Sequence, residues 1–165
     1  MVSIRSTLSA AILVALTGAA NAQSADDIAA GMSLFQQKGA CLACHGWAGD
    51  GRKVDSQMPD GANLRALQID RDVLTMTIRC GRPGTGMPAF ERLAYSDGRC
   101  YGLKLADLRA RSLEMPDPAA TLAPNEVKLL VDFLLAKVIG KGPMTRAQCA
   151  EYWGKPVDAC NELPQ

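Results

Sequence analysis

Cys41-Leu42-Ala43-Cys44-His45 is the stretch on which the reading of this chain turns. Two thiols three residues apart fall on one helical turn, where they can form thioethers with the two vinyl groups of one haem, and the adjacent His45 then stands over the iron. Other chemistries also use paired cysteines. A redox CxxC pair wants a preceding strand and a βαβ setting, and a zinc site wants two further Cys or His ligands. Neither context is visible around Cys41. An ordinary disulfide would leave the neighbouring histidine without a reason. Because His45 is the chain's single histidine, a bis-His haem, a His-rich zinc site and a two-His iron centre are all excluded.

Upstream of this stretch, Arg5, an apolar run over residues 8–20 and the A-x-A sequence Ala20-Asn21-Ala22 follow the order of a secretory signal peptide, expected over residues 1–22. The run is shorter than the roughly 18–20 apolar residues a membrane span needs. Removing those 22 of 165 residues leaves 143, with 17 basic and 17 acidic side chains and all six cysteines. The expected location is the periplasm, an oxidising compartment where cysteines can pair. Zero net charge, with no long like-charge block, argues against a nucleic-acid surface.

Four features in order make the chain resemble the class I monohaem cytochromes c, over roughly residues 26–140. The first is an amphipathic helix over residues 25–37, with Ile28, Met32 and Phe35 on one face and Gly31 nearby. Cys41 to His45 is the second, and Gly84-Thr85-Gly86-Met87-Pro88-Ala89-Phe90 is the third. Last comes a helix over residues 124–139, in which Val127, Leu130, Val131, Leu134, Leu135 and Val138 form an apolar stripe. The resemblance implies an all-α class I cytochrome c fold, with about three to five helices around one haem c held by Cys41 and Cys44. It also implies that Gly31 lets the first and last helices cross closely, with Phe133 positioned to meet Gly31 and Phe35. A third helix is expected over residues 71–80, capped by Asp70, ended by Gly81 and facing inward with Val73, Leu74, Thr77 and Ile78. Strand signals are weak throughout.

With no second histidine, the sixth iron position falls to Met, Lys, water or nothing. Met32 and Met76 read as core filling, which leaves Met58, Met87, Met115 and Met144. Met87 is preferred because the glycines around it let the backbone approach a haem; Met115 is the rival, since it precedes the last helix by a length usual in the family. The family's axial histidine donates its second nitrogen to a backbone carbonyl, commonly a proline's. Here Ala62 stands at that place in Asp60-Gly61-Ala62-Asn63-Leu64, and Pro59 is the alternative. Trp47, Arg52 and Arg65 are candidates for the haem propionates; otherwise Trp47 packs on the haem edge and each arginine is a solvated charge.

The four remaining cysteines allow three pairings. Locality selects Cys80 with Cys100, enclosing the Met87 loop, and Cys149 with Cys160, stapling a tail. The expected organisation is therefore a cytochrome domain over residues 23–142, with an insertion at about 91–120 that carries a short helix near 104–111, and a tail over residues 143–165. Trp153 in that tail reads either as a plug against the body or as part of a docking face.

Charge is unevenly spread. Residues 23–78 carry 5 basic and 7 acidic side chains, residues 79–111 carry 7 and 3, and residues 112–165 carry 5 and 7. The basic block flanks the Met87 loop, which in the family lies beside the exposed haem edge, so acidic partner faces are expected. The function implied is that of a monomeric periplasmic electron carrier, not an enzyme, with no membrane span after cleavage. The insertion and stapled tail look similar to cytochromes that serve quinoprotein (PQQ) alcohol or methanol dehydrogenases. A terminal oxidase or another cytochrome would then accept the electron. The alternatives are a haem enzyme or gas sensor with a labile distal ligand, and a permanent subunit of a dehydrogenase complex.

Overall fold

A computed structural model describes residues 24–53 and 56–164. The signal-peptide expectation for residues 1–22 lies outside them. The described residues form seven α-helices and no strand: α1 (Ala25–Ser33), α2 (Leu42–His45), α3 (Arg71–Cys80), α4 (Leu105–Ala110), α5 (Pro124–Lys137), α6 (Arg146–Trp153) and α7 (Asp158–Asn161). The all-α expectation holds. Five of the helices belong to the body and two to the tail, where no helix was expected.

The body is built on the crossing of α1 with α5. Ser24 caps α1 by accepting the Asp27 N–H. A Cβ at Gly31 would sit 2.6 Å from Phe133 Cβ and closer still to the Leu129 carbonyl oxygen, so only glycine lets the two backbones approach this closely. The Phe35 and Phe133 rings then meet at 5.9 Å, within the range of favourable aromatic pairs. Val127, Leu130, Val131, Leu134 and Val138 are buried as the stripe requires, and α3 adds Leu74 and Ile78 to the same core. Asp132 is buried as well. Its carboxylate takes the Arg71 guanidinium of α3 and the Lys128 ammonium, locking α3 to α5.

Three expectations change in detail. The first helix is α-helical only to Ser33 and continues as a π-helical turn, Leu34–Lys38, because Gly39 N–H reaches back five residues to the Leu34 carbonyl. The last helix ends at Lys137, where Val138 and Ile139 both donate to the Leu134 carbonyl and Gly140 reverses the chain. Val73 is 52% exposed rather than inward, since α3 meets the core along its Leu74/Ile78 edge. At the start of α5 the poor cap residue Ala123 is compensated by Glu126, whose carboxylate accepts the Ala123 N–H at 2.7 Å.

The tail has a small core of its own. Cys149 is bonded to Cys160, and Met144 and Ala48 pack around that disulfide. Arg65, only 2% exposed, ties tail to body: it donates to the Gly142 carbonyl at 2.5 Å and to Gln148 Oε1 at 2.8 Å. Tyr152 closes the junction by accepting a hydrogen bond from Gln36 in the π turn.

Candidate haem site

The chain enters the site through a tight turn. Ala40 adopts a left-handed conformation, Cys41 N–H returns to the Phe35 carbonyl, and α2, with Cys41 as its N-cap, carries Cys44 and His45. Helix, not strand, precedes the cysteines, which removes the thioredoxin-like setting. Burial pushes the Cys41 thiol up to about 12, whereas a redox-active CxxC depends on a lowered value. The other four cysteines form Cys80–Cys100 and Cys149–Cys160.

His45 is held from its far side. Its Nδ1 lies 2.9 Å from the Ala62 carbonyl, and since a carbonyl only accepts, the proton is on Nδ1 and the Nε2 lone pair points elsewhere. Of the two carbonyls that the sequence left open, Ala62 and Pro59, this contact uses Ala62. Gly61 makes it possible. A Cβ there would stand 2.6 Å from the Cys44 carbonyl oxygen and 2.8 Å from Nδ1, so the 59–64 segment can lie flat on α2 only without one. Burial lowers the His45 pKa, and the Ala62 hydrogen bond opposes this only in part, so the imidazole is neutral at pH 7.

The methionines separate by environment. Met87, like Cys41 and Leu42, packs against the main core. Its loop reaches the segment that supports His45, for a Cβ on Gly86 would stand 2.5 Å from Pro59. Met115 borders a cavity of about 840 Å³ within the insertion, lined by Leu93, Tyr95 and Leu105 among others and by none of Cys41, Cys44, His45 or Met87. Met58 is exposed, and Met144 is buried in the tail core. The candidates for propionates also divide. Trp47 turns to the tail, its ring tilted against Tyr152 at 5.3 Å and Trp153 at 5.6 Å, and the Arg65 donors are taken by the Lys137 and Gly142 carbonyls and by Gln148. Arg52 remains exposed and pairs weakly with Asp50. Trp153 is both plug and surface, since it packs against Trp47 yet stays 44% exposed.

The basic block is partly neutralised from within. Glu91 takes both Arg79 and Arg99, and Asp97 takes Arg99. Arg82, Arg92, Lys104, Arg109 and Arg111 have no ion pair among the described residues. The sequence missed the locking role of Arg65, because nothing in a lone arginine tells a buried guanidinium from a solvated one.

This donor set fits a covalently attached haem: two cysteines on one turn, an imidazole with Nδ1 committed to the Ala62 carbonyl, and a Gly61 whose missing Cβ lets that carbonyl approach. Residues 26–101 match the model of the family described as cytochrome c oxidase, cbb3-type, subunit III, whose class I-like domain contains one haem. That match covers less than half of the chain; it supports a cytochrome c family, whose domain carries out haem-based electron transfer. No curated protein and no solved structure matches the chain significantly. Among the described residues, no helix is long and apolar enough to cross a membrane.

Proposed function

We propose that the chain is an exported, monomeric, one-haem electron carrier whose iron lies between His45 and Met87. The observation that supports the reading is that Cys41, Leu42 and Met87 all pack against one core, while the Ala62 carbonyl fixes the His45 ring. Bound haem supplies a reversible one-electron couple, and Met/His ligation raises its potential. The chain's residues do the rest. Cys41 and Cys44 would anchor the haem, the Ala62 carbonyl makes His45 a stronger donor, and Met87 would supply the second iron ligand from a partly buried position. Export is supported by the residue 1–22 pattern and by the two disulfides.

Arg82, Arg92, Lys104, Arg109 and Arg111, which form no ion pair among the described residues and lie around the insertion and the Met87 loop, favour partners with acidic faces. The donor proposed is a periplasmic quinoprotein dehydrogenase, and the acceptor a terminal oxidase or another cytochrome. A spectroscopic redox titration with carbon monoxide added to the reduced protein tests the carrier reading. A reversible one-electron wave and an unchanged spectrum under carbon monoxide are expected. Rapid, complete carbon monoxide binding would instead support a sensor or enzyme with an open distal side.

A further inference from the structure

The C-terminus of α3 is finished in an unusual way. A helix leaves its last carbonyls without intrahelical partners, and they are commonly met by backbone N–H groups of the next turn. Here Gly81 has φ +64° and the chain leaves at once into the Met87 loop, so those carbonyls are met from the loop's far end. Ile78 O accepts from Phe90 N–H at 3.2 Å and Arg79 O from Glu91 N–H at 2.9 Å. Cys80 O accepts from the Tyr95 hydroxyl at 2.6 Å, and Gly81 O from the Tyr101 hydroxyl at 2.9 Å. Four successive carbonyls at the loop's entrance are thus held by residues beyond its exit.

Other contacts draw the same ends together. Cys80 is bonded to Cys100, the residue before Tyr101. Glu91 bridges Arg79 of α3 to Arg99 beside that cysteine. Arg82 N–H donates to the Met87 carbonyl at 3.1 Å, and Gly84 N–H donates to Leu113 at the end of the insertion. Burial, with a smaller contribution from Tyr101, pushes the Tyr95 hydroxyl up to about 12, so it remains a donor well into the alkaline range.

We propose that Tyr95 and Tyr101 are positioning residues that keep the Met87 loop shut by capping α3 from the insertion, so that the insertion governs how readily the distal side opens. The inference rests on Met87 being the distal ligand. Opening the loop must separate residues 80–81 from residues 95–101, and each hydroxyl bond lost in that separation slows it.

The test is imidazole binding to the ferric holoprotein, which requires the distal side to open, together with hydrogen exchange of the amides of residues 82–89. With one hydrogen bond lost in each, Tyr95→Phe and Tyr101→Phe should each speed imidazole binding about two- to tenfold, and the double variant by about the product of the two. Amide exchange in the loop should accelerate in parallel. Tyr152→Phe, which removes the hydroxyl that meets Gln36 in the tail, is the control and should bind imidazole at the wild-type rate. If the wild type shows the Met-to-ferric-haem band but the double variant binds imidazole and exchanges amides as the wild type does, the capping proposal is overturned and the ligation reading stands. If the wild type has no such band, the ligation reading fails and takes this proposal with it.

Discussion

Replacing Gly31 with alanine adds one methyl group at the point where α1 and α5 touch. The added carbon would stand 2.6 Å from Phe133 Cβ and 2.9 Å from the Leu129 carbonyl carbon. Comfortable carbon contacts are at 3.5–4.0 Å, so the helices must separate by about 1 Å. The Leu129 obstacle is backbone and cannot swing aside, and separating the helices also loosens the Phe35–Phe133 pair. Overpacking of this kind costs about 1–3 kcal/mol, and a backbone obstacle points to about 3. Alanine's better helix propensity returns about 1 kcal/mol. The net loss is about 2 kcal/mol, which for a chain of this size lowers Tm by about 6 °C. Thermal and urea unfolding of the holoprotein, followed by far-ultraviolet circular dichroism, measures it. Equal or greater stability of Gly31→Ala would refute the close-crossing argument, because that is what an open helical site would give.

Asp132→Asn should be destabilising by about 1–2 kcal/mol at pH 7, less than for a fully buried pair, because Arg71 and Lys128 are half-exposed and can rehydrate. Burial pushes the Asp132 carboxyl up, but the Lys128 and Arg71 hydrogen bonds and charges outweigh it and hold it below the usual range. Its contribution is therefore complete above the ordinary carboxylate value of about 3.9 and is lost as pH falls through the lower folded value. Urea titrations from pH 7 to pH 2 should show the gap between wild type and Asp132→Asn closing on the acid side; a constant gap would contradict the assignment. Electron transfer to an acidic partner should slow with added salt, and the Arg82→Gln, Arg111→Gln double variant should be several-fold slower at low ionic strength. Stopped-flow kinetics that do not change with salt or with these substitutions would remove the docking argument.

The core was legible where local pattern and chemistry agree. The stripe from Val127 to Val138, the Asp70 cap and the Gly31 crossing all follow from spacing, cap residues or a family likeness, and the structure contains them. The tail was not legible, because α6 and α7 are short and weakly amphipathic and are held by the Cys149–Cys160 disulfide and by Arg65, whose partners are 72 to 83 residues away. In the candidate haem site, the helical turn that carries Cys44 and His45 follows from the Cys41 to His45 spacing. The supporting Ala62 carbonyl did not announce itself, because any residue offers a backbone oxygen and only the fold selects one. The exposure of Val73 shows the same limit: helical spacing marks an apolar face without saying how wide the buried edge is.

The central claim, that Met87 completes the iron's coordination opposite His45, is tested most directly by the ferric absorption spectrum of three proteins: wild type, Met87→Ala and Met115→Ala. The account predicts a Met-to-ferric-haem band in the wild type that survives in Met115→Ala and disappears in Met87→Ala, with a lowered potential in Met87→Ala alone. A band that survives in Met87→Ala and disappears in Met115→Ala would contradict it.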